Sequence, residues 1–399
     1  MKAKVLFPFI GGDLMGGSHV SAMNLAASLD RNVFEPHVLC HFECGVIGEY
    51  AQSLGLKHEV LHEPSLLAVR GKRRENDATV AQYCMSSVWK LKSVLKRINP
   101  AIVHTNEGRM HTNWVLPTKL SGRIHIWHHR QDPTAFGINK LAPLFSDHIV
   151  SVSHFSKPSK PIRSVDHKFS VVRSPFDFPP EIPNRMQAKQ ALISELGLAE
   201  NAVLYGYFGN LTERKRPVHF VETIAAIQNA VKDRPVHGLL FGRVADEESK
   251  LDERTKSKAA ELGIEPQIHL MGFRQPIDVC MAGMDALLIS ALNEPFGRTL
   301  IESMYLGTPV IATLHGGNVE AIENGKTGFL VCPNDPAAFA GPAKQLLDSP
   351  ELFDRVTEAA HKNAAENYGR QRHVESICEI YRKLLQHGQP GCTGVTQAS

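Results

Sequence analysis

Residues Ser290–Thr313 read SALNEPFGRTLIESMYLGTPVIAT, and this stretch decides the fold. Ala286–Ser290 is a short apolar run that predicts the end of a buried parallel strand, and Gly297–Leu306 predicts a helix opening just after it. The turn between them therefore lies at the carboxyl edge of a sheet, where open α/β sheets bind their ligands. The first free amides of the following helix, helped by its dipole, suit a diphosphate. Glu302 falls a little over one turn into the helix, beside the amides of Gly297, Arg298 and Thr299. Its two carboxylate oxygens can each accept from one hydroxyl of a vicinal diol such as a ribose 2′,3′ pair. Glu294 precedes the helix and reaches the other end of the same ligand. Two glutamates and a glycine near a helix start also describe a capped, solvated terminus, so the rest of the chain must decide between the two readings.

Short apolar runs alternate with helical patterns along all 399 residues, which predicts an α/β chain of two doubly wound parallel sheets. The first series of strands is Val5–Phe9, His37–Cys40, Glu59–Leu61, Ile102–His104, Ile124–Trp127, His148–Val152 and Ser170–Val172. The proline-rich segment SPFDFPPEIP, Ser174–Pro183, then reads as an extended linker. A second series starts with a helix around Ala188–Leu196, followed by strands Val203–Phe208, Gly238–Phe241, Gln267–Met271, Ala286–Ser290 and Val310–Ala312. Helices near Ala337–Leu347, Leu352–Glu366 and His373–Leu385 come last, and Gly388–Ser399 reads as a small, polar, disordered tail. The expected domains are 1–178 and 179–370, with a terminal helix at 371–387 and a tail at 388–399.

Two further motifs fall at strand ends. GGDLMGGSHVSAMNLAASL, from Gly11, is a glycine-rich turn entering an amphipathic helix, where Gly16 and Gly17 let the backbone approach donor phosphates or an acceptor closely. It is neither G-x-G-x-x-G nor a P-loop, and a plain tight turn with His19 as a first-turn surface residue is the competing reading. IHIWHHRQD, Ile124–Asp132, places histidines at a strand end, where a side chain titrating near neutrality would hydrogen-bond a sugar hydroxyl or pass a proton. Of His125, His128 and His129, at least one must be a satisfied structural residue. His104, in IVHTNEG, ends the preceding strand.

EPFGRTLIE keeps an E-x7-E spacing. With GTPVIAT, GGNVEAIENGKTGFLV and IHLMGF it closely resembles the nucleotide-sugar half of retaining GT-B glycosyltransferases, glycosyltransferase family 4. The resemblance is good over Asn201–Leu385 and looser in the amino-terminal half. It implies two Rossmann-like domains facing a cleft, acceptor side first and nucleotide-sugar side second, with the last helix crossing back to the first domain. The activity implied is transfer of a sugar from a nucleoside diphosphate sugar, a UDP-sugar, to a hydroxyl of a glycan, lipid-linked or small-molecule acceptor. Configuration would be retained by same-face attack, the leaving phosphate helping to deprotonate the acceptor.

Carried over residue by residue, the resemblance makes His128, Lys215 and Glu294 catalytic. Gly17, Asn210, Lys215, Gly272 and Phe273 would bind the donor, as would Glu294, Phe296, Gly297, Arg298, Thr299, Leu300 and Glu302. Gly16, His104 and His129 would lie on the acceptor side. Gly272 and Phe273 fall where the nucleotide base lies against main chain, although Phe273 also suits a core. In GNLTERKRP, Lys215 matches the lysine of the family's R-x4-K arrangement, but Asn210 stands where the arginine belongs, so Arg214 or Arg298 has to compensate. No cofactor is implied. The sequence contains no Asp-x-Asp to hold a metal on the diphosphate, which leaves positive side chains to stabilise its charge. Two alternatives share the architecture: a nucleotide-sugar 2-epimerase, which EPFGRTLIE fits less well, and a non-catalytic nucleotide-sugar-binding subunit, to which Asn210 points.

Composition agrees with a two-domain globular enzyme: 43% apolar and 21% charged residues. No stretch approaches a membrane span, and Met1–Ile10 reads as a first strand because it lacks a small-residue cleavage site. Seven scattered cysteines argue for a reduced, cytoplasmic chain, and the C-x3-C of Cys40 and Cys44 is weak evidence for a metal. Residues 1–180 hold 22 Lys and Arg against 14 Asp and Glu, a charge of +8, which leaves −5 for the remainder of the overall +3. Nothing points to nucleic acid. Basic clusters at Arg70–Arg74 and Trp89–Arg97 would suit anionic lipid or a phosphorylated acceptor, or form a solvated face.

Overall fold

The structure, a computed structural model, describes residues 2–12, 15–68 and 77–387. The basic cluster Arg70–Arg74 and the tail expected at Gly388–Ser399 lie outside the described residues. The chain divides into two compact units, Met1–Pro175 with Arg370–Ser399, and Phe176–Gly369.

In the first unit seven strands form one parallel sheet: β1 Ala3–Ile10, β2 Phe34–His41, β3 His58–Leu61, β4 Ile102–Thr105, β5 Ile124–His129, β6 His148–Ser151 and β7 Phe169–Val171. Their order is β3-β2-β1-β4-β5-β6-β7. Strand β1 is buried on both faces, as its run VLFPF requires. Chain order reverses between β1 and β4, and there the ladder registers only Val5 with Ile102 and Leu6 with Val103. Pro8, which has no N–H to give, falls beyond that ladder. The two strands therefore part toward their carboxyl ends and open the crevice that a doubly wound sheet offers to a ligand. The helix Arg370–His387 packs Val374, Ile377, Cys378 and Tyr381 into the core of this unit, beside Phe34 and Val5.

The second unit repeats the plan with six strands, β8 Val203–Phe208, β9 Val236–Phe241, β10 Ile268–Gly272, β11 Ala286–Ile289, β12 Val310–Thr313 and β13 Phe329–Val331, in the order β10-β9-β8-β11-β12-β13. All ladders are parallel. Here too the ladder at the reversal, between β8 and β11, is short: it pairs Tyr205 with Ala286 and Gly206 with Leu287. Strand β13 is not among the predicted strands. The segment Ser174–Pro183 is extended, as its prolines dictate, but from Phe176 onward it is packed rather than free. Phe176 N–H donates to Tyr368 O at 3.0 Å, and Phe178 stacks on Tyr305 with centroids 3.9 Å apart. Prolines exclude helix and ladder, and the aromatic residues between them supply the anchorage.

Candidate active site

In the second unit the candidate residues gather on the carboxyl edge, in the loops that leave β8 and β11 at the reversal. The helix predicted from Gly297 runs Arg298–Tyr305, and Gly297 caps it without a side-chain hydrogen bond, so the first-turn amides of Arg298, Thr299 and Leu300 keep their donor capacity. The glycines Gly316 and Gly317 hold the preceding loop. A Cβ at Gly316 would meet Glu294 O at 2.6 Å, and one at Gly317 would meet Pro295 O at 2.5 Å. Gly317 N–H in turn donates to Glu294 O at 2.8 Å.

Lys215 arrives on the same edge from β8. Gly209, at φ +133°, leaves room for it, since a Cβ there would lie 2.5 Å from the ammonium Nζ. The ammonium donates to Phe208 O at 3.4 Å. Burial lowers its pKa from the ordinary lysine value, while the carboxylates of Glu294 and Glu302 pull the other way. A half-buried cation with one long hydrogen bond is a site prepared for an anion.

Each glutamate is already held by an arginine. Glu294, buried at 9% exposure, pairs with Arg214, and Glu302 pairs with Arg298 one turn away at 3.3 Å. The two arginines expected to compensate for Asn210 are thus both on the edge. Asn210 Oδ1 accepts from Arg243 N–H at 3.4 Å, which ties the β8 loop to the β9 loop.

Other candidates divide between side chain and main chain. Gly272 ends β10 at φ +68°, and its carbonyl accepts from Gly242 N–H at 2.9 Å. Phe273 is 55% exposed and carries the Arg243 guanidinium over its ring, so it is a surface aromatic and not core. Phe296 and Leu300 are the reverse case. Their side chains are buried, Phe296 stacking on Tyr368, which leaves only their main chain for a ligand.

The first unit brings its own candidates to the carboxyl edge of β1, β4 and β5. Gly16 caps the helix Gly17–Ser28, and its N–H donates to His19 Nδ1 at 2.9 Å. His19 Nε2 lies 2.9 Å from Glu107 Oε2, whose other oxygen accepts from Ile10 N–H at 2.8 Å. His19 is therefore a strut between the glycine turn and the loop after β4, not a bare surface residue. Glu107, in the IVHTNEG motif, gives no signal of this in the sequence, because a lone acidic residue before a helix resembles any other.

His104 and His128 are fully buried. His104 Nδ1 is 2.5 Å from the Tyr381 hydroxyl and its Nε2 is 3.0 Å from His128 Nδ1. His128 Nδ1 also faces the Arg130 guanidinium at 3.5 Å. A guanidinium only donates, so this nitrogen accepts, and the proton of neutral His128 sits on Nε2. Nε2 is buried and has no partner among the described residues. Burial, with Arg130 next, holds both imidazoles well below their ordinary pKa. This corrects the expectation that His128 titrates near neutrality: it is a neutral N–H donor. Nor does His129 titrate near neutrality: its Nε2 bonds Asp132 O at 3.0 Å, bracing the turn Asp132–Thr134, and burial lowers it to about 4.

Residues 188–363 match the model of Glycosyl transferases group 1. The chain carries a glycosyl transferases group 1 domain. It is similar to D-inositol 3-phosphate glycosyltransferase of Corynebacterium urealyticum, 28% identical over 219 residues that make up 54% of this chain and 51% of that protein. The chain thus matches about half the length of that relative. It is also similar to N-acetyl-alpha-D-glucosaminyl L-malate synthase of Bacillus anthracis, 26% identical over 77% of this chain and 81% of the relative. Among solved structures, HepE of Anabaena in complex with UDP-glucose superposes with a TM-score of 0.74 at 19% identity, over 95% of this chain and 99% of that one. That likeness speaks of the fold, which is GT-B. The group 1 domain contains Lys215, Glu294 and the whole turn to Glu302, while the histidines of the first unit lie outside it.

Proposed function

We propose that this chain is a retaining glycosyltransferase that moves a sugar from a UDP-sugar to an acceptor hydroxyl. The observation that carries the reading is the half-buried Lys215 ammonium set beside an uncapped helix turn and two glutamates at the β8/β11 reversal. Support comes from the relatives, named for glycosyl transfer, and from the UDP-glucose in HepE.

In this reading the diphosphate takes the amides of Arg298–Leu300 and the charge of Lys215. Arg298 exchanges its bond to Glu302 for a phosphate oxygen, and the freed carboxylate accepts from the ribose diol. Glu294 addresses the hexose. Breaking the anomeric C–O bond builds positive charge on the sugar and negative charge on the departing diphosphate, and Lys215 and Arg298 stabilise the latter without a metal. The acceptor hydroxyl attacks from the leaving-group face and gives its proton to the leaving phosphate, which then departs as UDP. His128 donates its Nε2–H to a hydroxyl oxygen and moves no proton.

Donor binding without transfer is the second reading, favoured by Asn210 in place of an arginine. Incubation with labelled UDP-sugars and a panel of hydroxyl acceptors separates these cases. A transferase releases UDP in step with a glycosylated acceptor, a 2-epimerase changes the sugar alone, and a binding subunit does neither.

We further place the protein in the cytoplasm, in peripheral contact with anionic membrane. Among the described residues no helix is long and apolar enough to cross a membrane. The helix Val88–Ile98 buries Leu91, Leu95 and Ile98 and turns Trp89 outward at 54% exposure. Its basic face is partly neutralised, since Lys90 pairs with Glu63 and Arg97 takes Glu59 through two bonds of 2.9 and 2.7 Å. Lys92, near the Trp89 ring, and Lys96 form no ion pair among the described residues. Each contributes about 1 kcal/mol near an anionic surface. Trp89→Ser with Lys92→Gln and Lys96→Gln is expected to weaken sedimentation with phosphatidylserine vesicles at moderate salt and leave UDP affinity unchanged. If the wild type ignores such vesicles even at low salt, the face is merely solvated.

A further inference from the structure

At the opposite edge of the second unit's sheet, below the amino ends of β8 and β11, lies a cavity of about 400 Å³. Its floor is Val203, Tyr205 and Ala286, and its walls come from the helices Arg185–Leu196, Ala340–Asp348 and Pro350–Tyr368. Small-molecule sites typically enclose roughly 300–1,000 Å³. The length of β8 separates it from the loops that carry Lys215 and Glu302, a distance on the order of 20 Å.

The polar groups of this cavity are mismatched in one direction. Tyr205 is 1% exposed, and its hydroxyl has no hydrogen-bond partner among the described residues. Asp285 is saturated: it accepts from Leu204 N–H at 2.8 Å, from Arg185 at 2.7 Å and from Lys189 at 2.7 and 2.9 Å. Arg185 lies over the Phe353 ring at 4.5 Å, and its buried Nε also lacks a hydrogen-bond partner among the described residues. Three cations, Arg185, Lys189 and Arg234, line the cavity against two carboxylates, Asp285 and Asp354. Each cation already has a carboxylate, Arg234 through Asp233, so the unused capacity is donor capacity, that of the Tyr205 hydroxyl and Arg185 Nε, set against apolar surface from Val203, Leu346 and Phe353. Buried donors without partners are uncommon in folded proteins and mark a place where an acceptor belongs.

We propose that this cavity is a second ligand site, which takes a small oxyanion, phosphate or carboxylate, on an apolar body. The oxyanion accepts from the Tyr205 hydroxyl and Arg185 Nε, and the body lies against Phe353 and Leu346. It is distinct from the proposed donor site in its residues and its edge of the sheet, and does not rest on the glycosyl-transfer reading.

The test is calorimetric titration of the full chain with phenyl phosphate, benzoate and inorganic phosphate. Saturable binding of phenyl phosphate or benzoate is expected, whichever is tighter naming the headgroup, with inorganic phosphate at least about tenfold weaker because it has no apolar body. Tyr205→Phe removes one hydroxyl and should weaken binding about tenfold, while Leu347→Trp should fill the cavity and abolish it. Lys215→Met, at the other edge, should leave the affinity as it was. Absence of saturable binding by both organic probes would overturn the proposal. So would binding that survives Tyr205→Phe and Leu347→Trp unchanged, or that disappears in Lys215→Met, since the probe would then sit elsewhere.

Discussion

Acidification from pH 7 to pH 5 is expected to unfold the first unit before the second. The first unit buries an unusual set of histidines. Burial lowers His41, His125 and His373 to about 3 and His129 and His148 to about 4, and holds His104, His111 and His128 well below 6.5. The unfolded chain protonates these groups near pH 6.5 and the folded chain does not, so the unfolded state binds more protons throughout the window below 6.5. Their contribution to stability is fully present above that pH and is lost as pH falls toward the folded values. At pH 5 each such group costs about 2 kcal/mol, and three of them together reach about 6 kcal/mol, the scale of a whole domain's stability. The second unit has fewer, with His219 and His237 lowered to about 4 and His269 lowered less. Hydrogen exchange of peptides covering β5 and β8 across this range reads the outcome. Protection of β5 that persists to about pH 4.5, or that outlasts that of β8, would contradict the assignment of neutral buried histidines.

Lys215→Met should abolish most transfer while leaving the fold intact. The side chains are similar in length, and the substitution removes a charge whose burial is already unfavourable, so thermal stability should hold or rise. Turnover should fall by about a hundredfold or more, as expected when a preorganised charge on a leaving group is lost. The pairing of these two results matters, because a structural lysine would lower both. Steady-state kinetics with a UDP-sugar, alongside a thermal melt, distinguishes them. Activity within about threefold of wild type would remove Lys215 from the chemistry.

Much of this arrangement is legible in the sequence because it depends on short-range order. A strand run, a glycine and an E-x7-E spacing are enough to put Glu294 and Glu302 on one sheet edge, the family resemblance adds Lys215, and the alternation of elements is enough to give two parallel sheets. What the sequence hides depends on contacts distant in the chain. The Tyr381 hydroxyl meets His104 across 277 positions. That bond belongs to the chain of contacts that orders the proton on His128, and no local pattern shows it. Burial is equally invisible locally, which is why His128 reads as a group titrating near neutrality and Phe273 reads equally well as core. The bond from Arg243 N–H to Asn210 is hidden for the same reason, since it joins two loops that are 33 positions apart in the chain. The packing of Phe176 and Phe178 turns a segment that prolines mark as linker into part of the second unit.

The central claim is that the turn from Glu294 to Glu302 holds a nucleoside diphosphate, with Glu302 on the ribose. Titration of UDP into the full chain and into Glu302→Ala tests it most directly. Wild type should bind saturably, and the variant should lose about 1.5–3 kcal/mol, roughly 10- to 150-fold in affinity, for a missing charged hydrogen-bond partner. Ribose-free diphosphate should bind both proteins alike. Equal UDP affinity in wild type and a folded Glu302→Ala would contradict the account.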